Sequence, residues 1–255
     1  MQHVRTHSLF AALCGLVITF ATASPAAPSP TVPATAAPDV RDLFVPVGFD
    51  SNDDVVAVVD GYLDGVCYHL RQPKVDTDLA NHKIKITVMA VRIQEFCHPI
   101  AVRYHQVVHL GALPVGTYRI ETQGAVPPQS LVVKQAENPG PDDFPYASVE
   151  NTTLQLGTGG ELSVRQRGHY SGTCQRLNDV RVTRHGRTID VLPILKLATR
   201  DDNGQPCRAE EQAFQKQIAL PHLENGRYLL HVRTTAGQSL NEVFDYPYPW
   251  DDRDH

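Results

Sequence analysis

Gly61-Tyr-Leu-Asp-Gly65-Val-Cys67 and Gly168-His-Tyr-Ser-Gly172-Thr-Cys174 are one phrase written twice: two glycines four residues apart, then a cysteine, at a constant offset of 107. Downstream, an offset of 110 pairs Cys97 with Cys207, Tyr104 with Phe214, Val108 with Ile218, Leu110 with Leu220, Leu113 with Leu223, Gly116 with Gly226, Tyr118 with Tyr228 and Ile120 with Leu230. So many matches in order identify an internal duplication, and its period is the size of a domain, too long for a solenoid repeat. The slip of three residues falls between the cysteines, where Asp201-Asp-Asn-Gly204 is the natural place for a loop insertion.

Within each copy the pattern is β. Lys83-Ile-Lys-Ile-Thr-Val88 alternates polar and apolar residues, as does Tyr228-Leu-Leu-His-Val-Arg233, and no window carries a helical stripe of useful length. Turn residues recur about every ten positions, for example at Gly111, Pro114-Val-Gly116, Gly157-Thr-Gly-Gly160 and His185-Gly186. Short strands at that spacing, in units of about one hundred residues, predict a seven-strand sandwich for each copy.

Val108-His-Leu-Gly-Ala-Leu-Pro-Val-Gly-Thr-Tyr118-Arg-Ile and Ile218-Ala-Leu-Pro-His-Leu-Glu-Asn-Gly-Arg-Tyr228-Leu-Leu share the form Leu-x-x-Gly-x-Tyr between two apolar strands. This resembles the closing hairpin of bacterial secreted immunoglobulin-like modules. The resemblance covers both copies and implies an all-β chain of two tandem immunoglobulin-like β-sandwich domains. In such a corner the Tyr ring is buried and its hydroxyl bonds to backbone. The buried Trp of antibody domains is missing, since the sole Trp is Trp250. A sandwich hosts many functions, so the likeness carries no activity with it.

Arg5, an apolar run from Leu9 to Phe20 and Ala21-Thr-Ala23 read as the three parts of a secretory signal peptide over residues 1–23. At about twelve residues the run is too short for a spanning helix, which needs roughly twenty. Cys14 follows the bulky Leu13 inside that run, so it is expected to leave with the signal and not to serve as a lipid anchor. Residues 24–39, rich in Pro, Ala and Thr, predict a disordered tether. The organisation expected after it is a first domain over 40–136, a proline-rich linker over 137–146, a second domain over 147–244 and an aromatic, acidic tail over 245–255. Removing residues 1–23 deletes Arg5 alone among charged residues and leaves 22 basic against 28 acidic side chains. That mildly acidic balance, without a Lys/Arg run, argues against nucleic acid and against a polybasic membrane surface.

The remaining cysteines are Cys67, Cys97, Cys174 and Cys207, with three connectivities open to them. Their spacings fit neither the short pairs of closed zinc sites nor a Cys-x-x-Cys redox motif. Because a copied domain carries its own pairing, the duplication predicts Cys67–Cys97 and Cys174–Cys207, and export predicts an oxidising periplasmic or extracellular setting.

Among twelve histidines, His98, His105 and His109 cluster in the first copy. On one strand, His105 and His109 share a face but stand about 13 Å apart, too far to chelate together, so these weak metal candidates are expected to face solvent. No metal or cofactor is expected. The pairs Asp53-Asp54, Asp142-Asp143, Asp201-Asp202 and Asp251-Asp252 read as solvated turn or tail residues. No Gly-x-Ser-x-Gly elbow, calcium-loop spacing or phosphate-binding loop occurs. By elimination, the expected function is a non-catalytic binding module of the cell envelope, with a protein or glycan partner. The alternatives are a secreted inhibitor of a protease or lysozyme, and a hydrolase with an interdomain site. Tyr246, Tyr248 and Trp250, on a segment stiffened by Pro247 and Pro249, are the candidate contacts.

Overall fold

The computed structural model describes residues 35–93, 96–158 and 160–247. The signal segment, most of the tether, Tyr248 and Trp250 lie outside the described residues.

The first copy forms β1 (Thr35–Ala36), β2 (Asp39–Phe44), β3 (Val55–Leu63), β4 (Tyr68–Leu70), β5 (Lys74–Asp78), β6 (Lys83–Thr87), β7 (Ala90–Arg92), β8 (Val102–Gly111), β9 (Gly116–Thr122) and β10 (Gln129–Val133). The second forms β11 (Ser148–Leu156), β12 (Leu162–Tyr170), β13 (Gln175–His185), β14 (Thr188–Leu197), β15 (Gln212–Ala219), β16 (Gly226–Arg233) and β17 (Ser239–Tyr246). No helix occurs among the described residues, and none there could cross a membrane.

Each copy is a sandwich. In the first, β2-β3-β8 faces β10-β9-β6-β5; in the second, β11-β12-β15 faces β13-β14-β16-β17. The apolar positions between the layers form one core per copy, around Ala57, Ile84, Tyr118 and Leu131 in the first and Val164, Ile189, Tyr228 and Leu230 in the second. Both expected corners are present: Tyr118 donates its hydroxyl to the Pro114 carbonyl at 2.9 Å and Tyr228 to the Glu224 carbonyl at 3.0 Å, with both rings buried.

In one respect the sandwiches differ from the antiparallel immunoglobulin sheets. The pairs β6–β9 and β14–β16 are parallel. Both copies share the departure, so it belongs to the duplicated unit.

Backbone details are duplicated as well. A bulge follows Val40 in β2 and Val149 in β11. Beside these bulges, Gly61 and Gly168 let the first strand in: a Cβ would lie 2.0 Å from the Asp39 carbonyl oxygen at Gly61, and 1.9 Å from that of Ser148 at Gly168. The repeated phrase thus encodes a close approach of two backbones.

The three-residue slip resolves into two changes. The β5–β6 hairpin spans Leu79 to His82, whereas β13–β14 turns over Gly186 and Arg187 alone, two residues fewer. Ile93 and Ala198 are equivalent, each donating its amide to the first cysteine's carbonyl, and the stretch from there to the second cysteine is five residues longer in the second copy. The extra residues include Asp201–Gly204, as the sequence indicated. The bridges are Cys67–Cys97 and Cys174–Cys207, with Cα atoms 5.4 and 5.5 Å apart, one per sandwich. They mark an oxidising, extracytoplasmic environment.

Candidate functional site

The outward side of β3 carries Val58 and Asp60, and that of β16 carries Arg227, Leu229, His231 and Arg233. All six are buried, because the two sandwiches pack these sheet faces against each other. Phe44, Val58 and Leu229 form a small apolar cluster at the contact, flanked by Val107 and Val243. Around it run ion pairs between copies: Arg227 with Asp60, Arg233 with Asp53 at 2.7 Å, and Arg187 with Asp42 at 3.3 Å. Asp245, in β17, takes both Arg103 and Arg227, which extends the network to Asp60. Burial pushes the Asp53 carboxyl up to about 6 even with the Arg233 guanidinium beside it.

This corrects the reading of the acidic pairs. Asp53 is no solvated turn residue: its carboxylate accepts the Asp50 amide at 2.8 Å and holds Arg233. Asp142 accepts the amides of Ala236 and Gly237 at 2.9 and 2.8 Å, anchoring residues 137–146 on the β16–β17 turn. At the other end of that segment the Asn138 carbonyl takes the Asn52 side chain of the first sandwich. The proline-rich stretch is thereby built into the body. Asp54 and Asp202, by contrast, are exposed, paired with His109 and Arg176.

Beside the contact lies a cavity of about 350 Å³ between the sandwiches, at the small end for a ligand pocket. Phe49, Phe144 and Tyr146 supply aromatic wall, and Asp50, Glu137, Asp143 and Asp190 supply carboxylates, against Lys134 and Arg233. Asp190 is 2 % exposed, and neither of its oxygens makes a hydrogen bond of normal geometry, although the Val47 amide lies close by. Burial pushes its carboxyl up to about 7, against the weaker pull of the Val47 amide and Arg233. Asp143 is also raised, by burial and then by the Asp50 carboxyl hydrogen-bonded to it. Next to Asp190 in the parallel register stands His231, whose Nδ1 meets the Asn241 Oδ1 at 2.7 Å. The Asn241 amide nitrogen donates to the Ser239 hydroxyl at 3.0 Å, which turns its oxygen to His231; the proton is on that ground assigned to Nδ1, with Nε2 as a bare acceptor. Burial holds the ring neutral, lowered to about 4.

A second hollow, of about 540 Å³, shares Asn138, Asp143, Phe144 and Tyr146 with the first and continues past Pro145, His169 and Leu195.

The residues singled out in the sequence lie elsewhere. His105 and His109 stand on the exposed edge of β8, His98 lies in the loop after the first bridge, and no three metal-ligating side chains converge among the described residues. Tyr246 belongs to β17 and packs on the second core. Asp60, Asp190, His231, Arg227 and Arg233 were not singled out. For Asp60 and Asp190 the signal is a lone charge inside an apolar strand, as in Val55-Val-Ala-Val-Val-Asp60 and Thr188-Ile-Asp-Val-Leu192.

Comparison with known proteins returns no matching family model, no matching curated protein and no matching solved structure.

Proposed function

We propose that this is an exported, non-catalytic binding module of the cell envelope, released by cleavage of its signal peptide, and that it meets a protein partner at the cavity between its sandwiches. One observation carries this reading: a buried carboxylate without a well-formed hydrogen bond stands in the wall of an aromatic-lined cavity formed by both halves. Leaving such a group unpaired destabilises the fold, so a binding role accounts for its presence better than a structural one. The buried ion pairs support it too, since a site assembled from two sandwiches needs them held rigidly.

Capture from envelope extract tests the proposal: the wild-type chain should retain a partner that a variant with the cavity filled, Thr183→Trp, does not. Equal capture by both would sink it. The same preparations, run against protease and lysozyme panels, test the inhibitor reading.

One observation favours a second reading. Asp143, whose proton affinity is raised by burial and by the Asp50 carboxyl hydrogen-bonded to it, stands in an interdomain cavity, and two adjoining carboxyls serve acid–base hydrolysis elsewhere. Turnover of peptides or glycans at pH 4–6 that disappears in Asp143→Asn would establish a hydrolase instead.

A further inference from the structure

The acceptors left bare at the sandwich contact outnumber the donors. Both oxygens of Asp190, one oxygen of Asp60 and Nε2 of His231 make no hydrogen bond of normal geometry, against Arg227 Nε on the donor side. Of these groups, Asp190 lines the cavity itself. Lys134 and Arg233 are the cations on the walls; Arg233 is already committed to Asp53 at 2.7 Å and to the face of Phe49 at 5.1 Å, and Arg181 covers one face of Phe144 at 4.8 Å. The ligand that completes this site brings donors and positive charge, and its stem rests on aromatic carbon.

A bare metal ion fits poorly. Among the described residues no three metal-ligating groups converge, and an aromatic wall gives a hard cation nothing to bind. A cationic head on an apolar stem fits on both counts, because carboxylates bind ammonium or guanidinium groups while aromatic rings bind the flanking methylenes and the charge. The volume suits one such head, not a whole ligand. The adjoining hollow, past Pro145, His169 and Leu195, gives the rest of the ligand a path out.

We propose that the cavity is a pocket for an organic cation: the ammonium or guanidinium head of a basic side chain on a partner polypeptide, received by Asp190 between Phe49, Phe144 and Tyr146, its backbone running along the adjoining hollow. The inference deepens the reading of the protein as a binding module by naming the chemistry of its partner.

Titration of the intact mature chain decides it, with Nα-acetyl-lysine amide and Nα-acetyl-arginine amide as probes. Their neutral counterparts, Nα-acetyl-norleucine amide and Nα-acetyl-citrulline amide, serve as controls, and cadaverine and agmatine represent free amines. The expected result is saturable binding of at least one blocked cationic residue, at least tenfold tighter than its neutral counterpart and at least tenfold weaker in Asp190→Asn. A merely structural Asp190 predicts something different: the variant melts at a lower temperature and the probes do not distinguish it from wild type. The inference is overturned if neutral probes bind as well as cationic ones, if Asp190→Asn binds unchanged, if no cationic probe binds, or if free amines bind and the blocked residues do not. The wider reading fails separately. Capture of a partner from envelope extract by wild type and by Asp190→Asn alike would leave a binding module that uses another surface.

Discussion

At the scale of single residues, the duplication supplies its own controls. Gln166 points into the second core with its amide nitrogen and oxygen both unpartnered, and the equivalent residue at the offset of 107 is Val59, equally buried. A buried amide without partners costs about 1–3 kcal/mol, so Gln166→Leu should raise the melting temperature by several degrees, read by calorimetry. Gly61 and Gly168 act in the opposite sense. Alanine at either position drives a methyl into the carbonyl of the neighbouring strand, and each change should destabilise by at least about 1–3 kcal/mol. Equal stability of Gly168→Ala would mean that β11 can back away without cost. Asp190 yields a pH prediction. Its folded value of about 7 lies above the ordinary 3.8, so between those limits the folded state holds a proton that the unfolded state lacks. Stability therefore falls as pH rises through that window and is regained on acidification toward about 5. His231, neutral and lowered to about 4, opposes this below its ordinary 6.5, which leaves pH 6.5–8 as the interval to read; Asp60, which burial likewise pushes up to about 7, acts there in the same direction in wild type and variant alike. Over that interval deprotonation of Asp190 should lower wild-type stability with rising pH by slightly less than about 1 kcal/mol, a loss absent from Asp190→Asn, which is flatter and the more stable form at pH 8. The ionisable groups beside Asp190 are Arg233 and His231, its register partner, both on β16; Asn substitution at Asp143 is the control for the other cavity carboxylates.

At the scale of strands, the contact between β3 and β16 sets the energetics. Removing Arg233 leaves Asp53 buried and unpaired, at a cost of about 3–5 kcal/mol, whereas an exposed pair such as Lys74 with Asp76 is worth about 0–1 kcal/mol. Arg233→Ala should therefore lower the urea midpoint sharply and Lys74→Ala hardly at all. Strands were largely legible in the sequence because period two survives in any sheet with one apolar face, as in Lys83–Val88. Their neighbours and directions were not. Alternation carries no sign of whether β6 runs with or against β9, and the parallel pair emerges only in three dimensions. Nor does alternation reveal what the polar face meets: His231 and Arg233 alternate with Leu230 and Val232 as they would if water, and not another sandwich, lay beyond. The corners at Tyr118 and Tyr228 were legible because a Gly, a Tyr and a turn suffice to specify them locally.

At the scale of the molecule, both sandwiches belong to one compact unit. Unfolding of the disulfide-intact chain should appear as a single calorimetric transition. Arg227→Ala combined with Arg233→Ala should split it into two, and a single transition in the double variant would show that the apolar cluster of Phe44, Val58 and Leu229 couples the halves unaided. The parallel pairs also fix an order of events in time. β9 cannot settle beside β6 until the intervening chain has crossed to the opposite layer and returned, so the two hairpins of each four-stranded sheet cannot zip together locally, and folding should be slow for the size of each half. In a chain synthesised from its N-terminus, β10 completes the first sandwich at Val133, almost a hundred residues before β16 begins at Gly226. Throughout that interval Phe44, Val58, Asp53 and Asp60 stand open to solvent. The nascent protein thus carries an exposed adhesive face that only its own second half removes, and a chain stalled before Gly226 is the form most prone to aggregate.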